Sequence, residues 1–248
     1  GVPSGDFRMG SARREQGRRS NEILRAVSIS EAFYLGVREV SNAEFRAFRA
    51  EHDSGSFNGE SLNDDDQPVV RVTWNDVAEF MYWLSIRDGF QPAYEEVNGV
   101  WAAVRPLRNG YRLPTEAEWA WAARFAGQEE SMTYPWGSTL PPPDRSGNFA
   151  DVSASTLLPS TLVIYNDSFS VSAPPGNFPP NAVGVYDLGG NVAEWVWDES
   201  PQFGGYERGP LVDPTGRNGS VENYWGRAWI LVDRVTRGGG WHTWVPPS

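Results

Sequence analysis

The sequence predicts an α+β domain that is rich in loops and poor in regular secondary structure. Its 248 residues include 26 Gly, 19 Pro and 12 Trp, which puts much of the backbone into turns and leaves aromatic side chains to fill the space between irregular segments. Three short amphipathic helices with marked starts are spread among brief strand-like runs. A chain of this length buries roughly 70–75% of the surface its unfolded form exposes, so a core forms without disulfides or metals.

Taken in order, Phe7–Ser11 reads as a strand entering a turn, and Val27–Val37 alternates loosely enough to be a second strand. Ser41-Asn42-Ala43-Glu44 is a capping box ahead of Phe45 and Phe48. Thr73-Trp74-Asn75-Asp76 repeats the device ahead of Val77, Phe80, Met81 and Leu84. Thr115-Glu116-Ala117-Glu118 is the clearest, preceded by Pro114 and followed by Trp119, Ala122 and Ala123 at helical spacing. In each, a hydroxyl caps an unpaired N–H while the acid reaches back to the N–H of the cap. The Trp, Phe and Met stripes that follow are read as core packing. Phe57–Gln67, with Asp64-Asp65-Asp66, reads as a solvated loop. Pro141-Pro142-Pro143, Pro174-Pro175-Gly176 and Pro179-Pro180-Asn181 mark long loops, after which Val183–Leu188 and Ala228–Val235 are expected as strands. No repeat or linker divides the chain, so residues 1–248 are taken as one domain.

The formal net charge of −11 argues against nucleic acid, which needs a basic face, and suits hard cations held by oxygen ligands. No apolar run approaches the roughly 20 residues of a membrane span, and the opening Gly1–Gly5 has no signal-peptide character. With no cysteine, disulfides, thiolate metal sites and thiol nucleophiles are excluded within these residues. Gly-x-Ser-x-Gly, His-Glu-x-x-His and the phosphate-binding Gly-x4-Gly-Lys-Ser/Thr loop are all missing, and two histidines leave little room for a hydrolytic triad.

Seven colinear segments resemble the formylglycine-generating-enzyme, or sulfatase-modifying-factor, family. They are Phe7–Ser11, Arg38–Phe45, Pro68–Trp74, Tyr111–Trp119, Tyr134–Gly137, Gly184–Trp195 and Arg237–Trp241. The resemblance covers almost the whole chain and implies a variant of the C-type-lectin fold with a small twisted sheet and bound calcium. Family domains continue some tens of residues past the arginine–glycine–glycine motif, so the expectation is a single domain lacking that C-terminal segment.

The resemblance also implies site residues. One calcium site would take the side chains of Asn148 and Asp167 with the carbonyls of Phe149 and Phe169. A second would take the carboxylates of Asp187 and Glu194 with the carbonyls of Gly190 and Val192, and Glu39 is a candidate for a further site. Calcium takes six to eight oxygens in irregular geometry, so a Gly-rich loop flanked by acids suits it. The competing reading has Asn191 and Glu194 in ordinary turn and helix-start hydrogen bonds.

Active family members oxidise a substrate cysteine with copper held by two cysteines, and those positions fall at about Thr243 and Ser248 here. Neither side chain holds Cu(I), which needs soft sulfur, so no copper is expected. The expected ligand face comprises Trp225, Trp229, Trp241, His242, Thr243 and Trp244, where indoles would stack on a sugar or a peptide or else fill the core. Three functions follow. The first is a non-catalytic domain binding a protein, peptide or saccharide. The second is a tailoring oxidase like the family member of siderophore maturation. The third is an accessory domain of a catalytic partner. The lost cysteines favour the first.

Overall fold

The computed structural model describes residues 1–11, 23–128, 132–199, 209–215 and 234–237. Strand β1 (Gly5–Met9) pairs antiparallel with β2 (Arg25–Ile29), setting Phe7 opposite Val27. The expected strand over 27–37 ends at Ile29. Beyond it the chain is irregular, with bends at Glu31 and Val37, and keeps one isolated bridge, Phe33 to Val2.

Helix α1 (Asn42–Arg46), the hairpin β3 (Ser56–Phe57) with β4 (Glu60–Ser61), and helix α2 (Trp74–Arg87) follow. The segment 57–67 is therefore not a plain solvated loop. It holds a small hairpin and buries Leu62 and Gln67, whose amide reaches the carbonyls of Ser61 and Ser172. A second hairpin, β5 (Tyr94–Val97) with β6 (Val100–Ala103), precedes helix α3 (Glu116–Arg124). α1, α2 and α3 each open with a capping box read in the sequence, at Ser41/Glu44, Thr73/Asp76 and Thr115/Glu118.

Beyond α3 a long stretch of loops leads to β7 (Glu194–Glu199), then β8 (Leu211–Val212) and β9 (Arg234–Arg237). β8 joins β2 in parallel, and β7 pairs antiparallel with β9. Of the second run expected as a strand, Ala228–Val235, residues 228–233 lie outside the described residues and the end enters β9. Val183–Leu188 is a turn, since its N–H groups bond to Asn181 and to the Val37 carbonyl. Its apolar residues still serve the core: Val185 and Leu188 are buried.

α3 is buried on two sides. Ala117 and Trp121, one helical turn apart, face Val2, Phe7, Val27 and Ile29, while Trp119 and Ala123 face Val185, Leu188 and Val196. Trp74 on α2 joins Tyr94, Leu113 and Trp197 in a third cluster. Burying each such aromatic contributes about 1.5–3 kcal/mol. The helix stripes are thus core, and α3 is the strut against which the loop before β7 is set.

Candidate metal centre

Two loop segments meet behind α3. One contains Asn148–Asp151 and Asp167–Phe169, and the other runs from Asp187 to Glu194, the first residue of β7. Their contact is close: a Cβ on Gly190 would lie 2.3 Å from the Asn148 carbonyl oxygen, and a Cβ on Gly147 would lie 2.4 Å from that of Gly189. Gly190 also sits at φ +94°, so only glycine suits the position. Asp187 and Asn191 take φ values of 57° and 55°, a left-handed conformation that short polar side chains tolerate.

In the first segment Asn148 is fully buried, and its Nδ2 donates to Val171 O at 2.8 Å and to Asn191 Oδ1 at 3.1 Å. Its Oδ1 has no hydrogen-bond partner. Asp167 accepts from the N–H groups of Phe149 and Phe169, each at 2.8 Å, and the N–H of Asp167 donates to Asp151 Oδ2. Burial pushes the Asp167 carboxyl up to about 7 against the lowering effect of those two N–H groups, and the neighbouring Asp151 carboxyl raises it further. Ser153 Oγ donates to Phe169 O at 2.6 Å and is also in hydrogen-bond contact with Asp151. Asp151, fully buried, and Ser153 therefore belong to this site although the sequence reading passed them over. The acid stands three residues after Asn148, a spacing that was available as a signal.

In the second segment Asp187 Oδ2 accepts from Gly176 N at 2.5 Å, while its Oδ1 is buried and unpartnered. Burial raises the Asp187 carboxyl above its ordinary range, with Arg38 opposing. Burial also lifts Glu194 to about 7, against the hydrogen bond it accepts from the Trp119 indole, and Asp187 adds to the rise. Glu194 lies at the start of a strand, not of a helix. Glu39 is brought here too. Its carboxylate accepts from Asn191 Nδ2 at 2.6 Å and from Val192 N at 3.3 Å. Burial, then repulsion from Glu194 and Asp187, holds it well above its usual range. Glu39, the candidate for a further site, is brought by its two hydrogen bonds against the Asp187–Glu194 segment. It also lines an open groove of 1380 Å³, together with Tyr34, Arg38, Phe90, Tyr111 and Pro174.

Among the described residues, no three His, Asp or Glu side chains converge as a purely charged metal cluster. A cation here would draw on carboxylate, amide and carbonyl oxygens together, the mixed hard donor set that calcium accepts. Two observations fit such an ion. Each segment presents one buried oxygen with nothing to bond, a costly state unless something compensates it. Each also gathers acids whose mutual repulsion and burial favour protonation until a positive charge arrives. Copper is different: with no cysteine in the chain, the donor set does not fit it. Thr243, Ser248 and the whole expected ligand face, Trp225, Trp229, Trp241, His242, Thr243 and Trp244, lie outside the described residues.

Comparison with known proteins agrees with this architecture. The chain is 30% identical over 222 residues to the inactive Cα-formylglycine-generating enzyme 2 of Bos taurus, covering 79% of the chain and 68% of that protein. It is 28% identical over 226 residues to the chaperone protein LppX of Paenibacillus barcinonensis, covering 84% of the chain and 69% of that protein. Against the formylglycine-generating enzyme of Bos taurus the identity is 30% over 79% of the chain, which spans only 56% of the bovine protein. Among solved structures, Treponema denticola variable protein 1 superposes with a TM-score of 0.67 at 23% identity, over 97% of this chain and 82% of that one. PvdO of Pseudomonas aeruginosa gives 0.60 at 24% identity, over 99% and 82%. The sulfatase-modifying factor enzyme 1-like domain matches residues 1–246, and the chain belongs to that family.

Proposed function

We propose that this chain is a calcium-stabilised, non-catalytic member of its family that binds a protein or peptide ligand. The absence of cysteine carries the reading, because Cu(I) cannot be held where the thiolates are gone. Two relatives of comparable identity bear names that fit it, one an inactive homologue and one a chaperone. The orphaned oxygens of Asn148 and Asp187 support calcium in the two loop segments, with Asp167, Glu39 and Glu194 supplying charge. The side chains of Asn148 and Asp167 would hold one ion, with the carbonyls of Phe149 and Phe169. Asp187 and Glu194 would hold the other, with the carbonyls of Gly190 and Val192, and Glu39 would stand beside it through Asn191. Each ion would pin long loops that no strand ladder secures. The groove beside Glu39 offers Tyr34, Phe90 and Tyr111 to a ligand.

Elemental analysis of purified protein tests this directly. One or two equivalents of calcium are expected, with no stoichiometric copper or iron. Incubation with a cysteine-containing peptide and copper should form no aldehyde. Stoichiometric copper, or aldehyde above a no-enzyme control, would refute the non-catalytic reading.

A further inference from the structure

The two loop segments are joined by a pair of asparagine amides whose orientations determine one another. Ala173 N–H donates to Asn191 at 2.8 Å, so the accepting atom must be Oδ1. That oxygen faces Asn148, which must then present Nδ2 to it, at 3.1 Å. The second hydrogen of the same Nδ2 is taken by Val171 O at 2.8 Å. Asn148 Oδ1 is thereby turned away from Asn191 and becomes the unpartnered atom of the first site. On its other side Asn191 Nδ2 donates to Ala173 O at 3.0 Å and to Glu39 Oε2 at 2.6 Å. Flipping either amide would break at least two bonds. The backbones leave no slack either: Asn191 N donates to Asn148 O at 2.8 Å, and there is no room for a side chain at Gly190 or Gly147.

Resting on the calcium reading above, we propose that the two cation sites are positively coupled, and that the Asn148–Asn191 amide pair carries the coupling. An ion on Asn148 Oδ1 fixes that amide, which fixes Asn191, which fixes Glu39 beside Asp187 and Glu194. An ion in the second site fixes the same chain from the other end. Each ion tightens one end of this already bonded chain, so the second gives up less residual freedom than the first. Repulsion between the ions opposes this weakly, because the carboxylates of Asp151 and Asp167 together cancel the charge of one dication. By linkage the enhancement is equal in both directions. Asn191 is thus a positioning residue that acts through Asn148 and Glu39.

The test is calorimetric titration of calcium into chelator-treated protein. Asp167→Ala leaves the second site and yields its constant, and Glu194→Ala leaves the first. The product of the two wild-type constants, divided by the product of these single-site constants, is the coupling factor. A factor of about five or more is expected, the lower range of measured couplings. Repeating the titrations on an Asn191→Asp background, which keeps both accepted bonds and loses both donated ones, should return a factor near one. Where an alanine variant shows no melting transition, D167N or E194Q replaces it. Two ions bound with a wild-type factor near one would overturn the coupling and leave the calcium reading intact. No calcium heat in the wild type would overturn both. A factor that survives in N191D would assign the coupling to other residues.

Discussion

Glu194 and Asp167 place carboxyl groups with folded-state values of about 7 at the centre of the loop contact. Their unfolded values lie near those of ordinary acids, so between roughly pH 4 and 7 the native state binds more protons than the unfolded one. In that window the contribution of these groups to stability falls as pH rises, through the folded values near neutrality. Metal-free protein should therefore melt lower at pH 7.5 than at pH 5.5, other groups being equal. Calcium reverses the sign, because it needs both carboxylates ionised, and the melting shift it produces should grow across the same window. Differential scanning calorimetry with calcium and with chelator at both pH values decides this. A calcium shift that does not change with pH would disprove the assignment of these acids. Asn148, Asp167, Asp187 and Glu194 could all be singled out in the sequence, and the structure buries the first three. The docking of Glu39 on Asn191 was not legible, because a side chain 152 positions away gives no local sign of where it docks.

Elements were legible where a local device announces them. The three capping boxes placed α1, α2 and α3, since each needs only four consecutive residues to satisfy its backbone. Thr115→Ala should cost about 1 kcal/mol at the start of α3, lowering the melting temperature by about 2–4 °C in a chain of this size. Both small hairpins turn on an Asn-Gly pair, Asn58-Gly59 and Asn98-Gly99, with all four residues at positive φ. That dipeptide is a strong hairpin signal, and it stood in the sequence unread. Val183–Leu188 failed in the opposite way: an apolar run reports burial, but burial against α3 requires no partner strand. In the same loop Gly190→Ala would force a Cβ to 2.3 Å from a backbone oxygen at an unfavourable φ, so the loss should exceed that at Thr115. Equal melting temperatures for the two variants would show that the loop relaxes around the intruding methyl.

Over the whole molecule, a match across residues 1–246 made the family readable, while the activity had to be argued from chemistry. Loop-rich architecture followed from glycine, proline and tryptophan content, but which loops meet did not, because their contacts are between residues far apart in the chain. Removing calcium should lower the melting temperature of the intact protein, and Glu194→Ala should both melt lower in calcium and respond less to chelator. A variant that melts and responds like the parent would exclude the second site.

The same long reach has a consequence for how the chain assembles. Asn191 must find Glu39 across 152 positions, and β8 must return to β2 to set Leu211 beside Val27. Closing such large loops is slow, since their entropy is lost before the contacts form. The helices should appear early after dilution from denaturant, and the loop junction should lock last. If an ion completes that junction, its arrival governs the final kinetic phase and leaves the first untouched.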